Sequence, residues 1–125
     1  MKKLALALAV LAFPVVSISP VTVPQSFAAA AISKLGDLSA MREIVSDTLK
    51  MVEAGDAKGA VKRITDFETT WDENASRLRK LDSKTWRKID EAADVALSTV
   101  RYASATADEK RKDLADLIAV LDNPS

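Results

Sequence analysis

The apolar positions of this chain recur every three or four residues in four separate stretches, the spacing that stacks side chains along one face of a helix. Leu38, Met41, Val45, Leu49 and Val52, broadened by Ile44, predict a first helix over about residues 37–53. Asp37 is placed to cap it, and Gly55 to end it, because glycine tolerates the left-handed backbone that helix C-termini often need. Asp56 then caps a second helix over about residues 57–80, with Ala57, Ala60, Val61, Ile64, Phe67, Trp71, Ala75 and Leu78 on its stripe. Asp82 caps a third over about residues 83–103, whose inner face is Trp86, Ile89, Ala93, Ala96, Leu97 and Val100. Thr106 and Glu109 have the offset of a capping box and open the fourth helix. That helix buries Leu114, Leu117, Ile118 and Leu121 and stops at Asn123-Pro124.

No run of β-branched residues alternates with polar ones, so no strand is predicted. Short links force sequence neighbours to pack side by side in opposite directions. The expected fold class is all-α, an up-down antiparallel four-helix bundle. The turn Gly55-Asp56-Ala57-Lys58-Gly59-Ala60 has a tetratricopeptide flavour, but the two halves share no register at that period, which sets a repeat architecture aside.

The text before the helices is of another kind. Lys2 and Lys3 precede an unbroken apolar run of ten, Leu4 to Phe13, and the alanines around Ala28 to Ala30 offer the small residues a signal peptidase reads. Ten apolar residues fall short of the roughly 20 that cross a bilayer, and Pro14, Pro20 and Pro24 interrupt any continuation. The expectation is a cleaved signal peptide over residues 1–30, a helical domain over 31–125, and a periplasmic or secreted product with no stable membrane anchor.

Removing Lys2 and Lys3 leaves 16 basic residues against 18 acidic ones, from 18 and 18 in the whole chain. Such a balance, spread without runs, gives no electrostatic footprint for nucleic acid or for an anionic membrane. With no cysteine, disulfides, thiol catalysis and thiolate metal sites are excluded. With no histidine, the usual base near neutral pH and the commonest transition-metal ligand are missing too. No nucleophile elbow and no glycine-rich phosphate loop occurs. Neither an enzyme nor a cofactor is expected.

What stands out is the stretch from Glu68 to Leu97. It carries both tryptophans, each above its own carboxylates: Glu68, Trp71 and Asp72 on the second helix, then Trp86, Asp90 and Asp94 on the third. Glu68 is expected to project into the second helix's apolar stripe, where an unpaired carboxylate is costly. One reading joins Glu68, Asp72, Asp90 and Asp94 into an oxygen-rich seam for Ca²⁺ or Mg²⁺. The plainer one neutralises them with Arg79, Arg87, Lys88 or Arg101 and makes both tryptophans core, and on that reading no metal ligand is assigned.

The pattern Glu68-x-x-Trp71-Asp72 … Trp86-x-x-x-Asp90-x-x-x-Asp94-x-Ala96-Leu97, preceded by Ala54-Gly55-Asp56, Ala60 and Ile64, resembles a group of small exported bacterial helical proteins of uncharacterised function. The resemblance spans about residues 52–121 and implies an exported, helical, non-enzymatic protein. The functional expectation is therefore a non-catalytic binding or interaction module with an unidentified protein partner. The alternative is a divalent-cation-binding protein that uses the carboxylate seam.

Overall fold

The computed structural model describes residues 33–124, and within them the chain forms four helices: α1 (Ser39–Glu53), α2 (Ala57–Leu81), α3 (Ser83–Arg101) and α4 (Ala107–Asp122). The expected signal peptide over residues 1–30 lies outside the described residues. Among the described residues no helix is long and apolar enough to cross a membrane.

The links between helices carry the chemistry that the sequence suggests. At the end of α1, Gly55 adopts a φ of 75°. Its N–H reaches the Val52 carbonyl at 3.1 Å and that of Asp56 reaches Met51 at 2.9 Å, which together close the helix end. Asp56 in turn accepts from the Gly59 N–H at 2.9 Å, with Gly59 so close to the aspartate that a β-carbon there would collide with it. A single residue, Asp82, joins α2 to α3. It ends the first in extended backbone and caps the second through the Thr85 N–H at 3.0 Å. Both halves of the capping box expected at Thr106 and Glu109 are formed.

Two boundaries move. α1 starts at Ser39, and Asp37 does not cap it: its carboxylate accepts from the Ser39 N–H at 2.9 Å, two residues on, as a turn before the helix. α3 ends at Arg101 because Tyr102 is extended.

Each helix packs on two others, α1 on α2 and α4, α3 on α2 and α4, and the diagonal pairs do not meet. Arg63 bonds Asp47 at 2.9 Å across α1–α2, and Thr99 bonds Asp113 at 2.5 Å across α3–α4. Arg42 pairs with Asp122 across α1–α4, so the start of the first helix meets the end of the last. Pairs arranged in this way run antiparallel, and the all-α bundle expectation holds.

One apolar cluster fills the ring, with Val45, Ile64, Phe67, Ile89, Leu114 and Leu117 fully enclosed. Thr48 and Leu35 are buried although neither was expected. Thr48 is buried on α1 with its hydroxyl returned to the Ile44 carbonyl at 2.9 Å. Leu35, 1% exposed, precedes α1 altogether and is held by a tight turn in which Ser33 and Gly36 bond each other. Conversely, Ala57 and Val61 are exposed and Ala75 is half-buried, so the stripe of α2 is narrower than its apolar residues suggest.

Candidate functional site

That narrower stripe relocates Glu68. The buried positions of α2 are Ala60, Ile64, Phe67, Trp71 and Leu78. At 100° per residue, Glu68 lies roughly 70° from their centre. It stands at the edge of the seam rather than in its middle, contrary to the sequence expectation. Ala57, Val61 and Ala75 had drawn the apparent centre toward it.

From that edge Glu68 meets Arg101, the last residue of α3, in a two-pronged pair with both N···O distances 2.9 Å. Arg101 also donates to the Thr65 hydroxyl at 3.1 Å. The hydrogen-bonded guanidinium holds the Glu68 carboxyl below its usual range. The other three candidate partners go elsewhere. Arg79 lies over the Trp86 ring, 4.9 Å from its centroid, while Arg87 and Lys88 line a groove at the α2–α3 turn.

The two tryptophans are brought together. Trp71 is buried and lies between Phe67, with ring centroids 6.0 Å apart, and Trp86, 6.1 Å away and nearly parallel at 4°. Its indole N–H donates to Asp90 at 2.9 Å, which ties α2 to α3. Trp86 is half-buried rather than fully enclosed, packed on the core on one face and covered by Arg79 on the other. Its own indole N–H is buried with no hydrogen-bond partner among the described residues.

Asp72 and Asp94 are exposed. The Asp94 carboxyl is pushed above its usual range, by desolvation against the seam first and then by Asp90, Asp72 and Glu68. The four acids therefore share one negative field. Among the described residues, however, no group of three or more possible ligands stands close enough to hold a metal ion.

Glu68 and Asp94 respond to acid in opposite senses. The depressed Glu68 stabilises the fold above its unfolded pKa, and that contribution is lost as pH falls through the folded value. The raised Asp94 opposes folding when ionised and is relieved as pH falls through its own folded value. Glu68→Gln should accordingly make acid unfolding shallower. At neutral pH it should shift stability by no more than about 1 kcal/mol, because both side chains of the pair are over a third exposed and screened. Melting curves of wild type and variant should also stay put as Ca²⁺ or Mg²⁺ is added to millimolar levels. A saturable rise, abolished by Glu68→Gln, would restore the cation reading.

A feature that whole-chain balance concealed lies at the pole where α2 turns into α3. Between Arg77 and Lys88 the sequence holds Arg77, Arg79, Lys80, Lys84, Arg87 and Lys88 against the single acid Asp82. Lys34 joins them, 3.5 Å from Asp82. Every arginine elsewhere in the chain is in an ion pair: Arg42 with Asp122, Arg63 with Asp47 and Asp66, Arg101 with Glu68, Arg111 with Asp108. Among the described residues Arg77, Arg79 and Arg87 are in none: there Arg77 reaches Asn74, at 3.1 Å, and Arg79 the Trp86 ring. The groove there, about 460 Å³, is lined by Lys34, Lys84, Thr85, Arg87 and Lys88 beside Asp82 and Glu91. The expectation of no electrostatic footprint fails locally. The clustering was readable over those twelve residues, but the near-neutral total averaged it away.

The arrangement defines a small helical bundle with an aromatic seam edged by carboxylates and one basic pole. No protein-family model, curated protein or solved structure matches the chain.

Proposed function

We propose that this protein is an exported, non-catalytic binding module that engages an anionic partner through the pole of the α2–α3 turn. The observation that carries the reading is the set of arginines that meet no carboxylate among the described residues, Arg77, Arg79 and Arg87, whereas the other four are all paired. Like charges held together without counter-charges repel one another and cost stability. A binding role accounts for keeping them. The sequence argues the same way about catalysis, since neither histidine nor cysteine is present. Of the seam acids, Glu68 is held by Arg101 and Asp90 by Trp71. Export is supported by the charged start, the apolar run and the alanines before residue 31.

Inorganic polyphosphate is a suitable probe, because Trp86 reports on the pole through Arg79. Titration at low salt should change the tryptophan fluorescence saturably and weaken as salt is raised. Arg87→Gln combined with Lys88→Gln should weaken it further. A flat titration at low ionic strength would refute the reading.

A further inference from the structure

The tip of the basic pole is not uniformly polar. Leu81, the final residue of α2, is 52% exposed and stands between Arg77, Arg79 and Lys80 on one side and Lys84, Arg87 and Lys88 on the other. All six of these basic residues are exposed. A partner that recognised charge alone would have no use for a leucine at the apex. An interface that is anionic at its surface and apolar just beneath accommodates both, since long basic stems lie along the boundary while their heads meet phosphates.

The far pole has no comparable excess: Lys50, Lys58, Lys62 and Arg63 are balanced there by Asp47, Glu53, Asp56 and Asp66, and Arg101, Lys110, Arg111 and Lys112 by Glu68, Asp108, Glu109 and Asp113.

From these two observations we infer that the α2–α3 pole docks on an anionic phospholipid bilayer. Leu81 enters the headgroup region, and Arg77, Lys80, Lys84, Arg87 and Lys88 face lipid phosphates. The inference rests on the anionic-partner reading and names its partner. Binding is reversible, because one leucine and a basic cluster together make a peripheral attachment and not an anchor.

The test is co-sedimentation of the protein recovered from its host, with intact mass recording its N-terminus. Vesicles of phosphatidylglycerol mixed with phosphatidylcholine are set against phosphatidylcholine alone, and polyphosphate binding is measured in parallel. Wild type should partition onto the anionic vesicles only, and raised salt should release it. Each basic residue near such a surface changes partitioning about fivefold, so Arg87→Gln with Lys88→Gln should lower it on the order of twentyfold. Leu81→Ala should lower vesicle partitioning several-fold while leaving polyphosphate binding intact. Lys58→Gln with Lys62→Gln, at the far pole, should change neither. All of these side chains are exposed, and circular dichroism verifies that the variants stay folded. Equal partitioning onto both vesicle types overturns the inference. So does polyphosphate binding without vesicle binding, which leaves the broader reading standing; loss of both overturns both.

Discussion

Trp71→Ala should destabilise the bundle by about 3–5 kcal/mol, the range for truncating a buried large aromatic. Three losses add up at this residue. Its ring is 2% exposed, so almost all of its apolar area leaves the core. It is the middle layer between Phe67 and Trp86, so both stacking partners lose a face. Its N–H is the donor that holds Asp90. Trp71→Phe separates these effects, since it keeps a ring in the stack and gives up the hydrogen bond. Bonds to charged groups contribute about 1.5–3 kcal/mol, and the low end applies because Asp90 is only half-buried. Trp86→Ala should cost less than Trp71→Ala, because Arg79 and solvent share its outer face. A double-mutant cycle between the two tryptophans should return a coupling of about 0.5–1.5 kcal/mol beyond area. Urea unfolding gives all four free energies. A Trp71→Ala loss below about 1 kcal/mol would mean that the stack does not support the fold.

The second large effect is expected outside the helices. Leu35→Ala should cost about 2–5 kcal/mol, as for other fully buried leucines. Leu35 lies in the core together with Leu38, in the segment that Lys34 ties to Asp82 at the basic pole. Its turn is closed by bonds between Ser33 and Gly36, where Gly36 has a φ of 85°. Because the turn is small, it has little capacity to collapse into the space left behind. Chemical denaturation of the single variant is sufficient to check this. A near-neutral result would show that the segment before α1 only rests on the bundle.

The helices themselves were legible because each carries a periodic stripe and the last three a cap of the right chemistry, Asp56, Asp82 and Thr106 all performing as their sequence context predicts. Leu35 was not legible, because although it continues the spacing of Leu38 and Met41, Gly36 and Asp37 after it mark the start of the helix and set it outside the stripe. Glu68 was misplaced for a different reason. Alanines and a surface valine count as apolar in a pattern, yet they pack weakly enough to face solvent, and three of them shifted the apparent seam. The pairing of Glu68 with one of its candidate arginines was readable as a class of solution, while the choice of Arg101 depends on where α3 ends. Arg79 was read as a counter-ion and is instead the cover of Trp86, a contact made across the α2–α3 turn.

The cyclic packing has a kinetic consequence. Three of the four helix interfaces join neighbours in sequence, so most of the native contacts form across short loops at small entropic cost. Helical bundles dominated by such local contacts fold in about microseconds to milliseconds. Only the interface between α1 and α4 must be closed over nearly the whole domain. A chain delivered N-terminus first can zip α1 against α2 and α2 against α3 as it emerges, leaving an open trough along Val45, Ile64, Ile89 and Ala93. The sixteen residues of α4 arrive last and roof it. Until Leu114, Leu117 and Leu121 seat, that trough is exposed apolar surface, and the step that ends its exposure is the docking of the final helix.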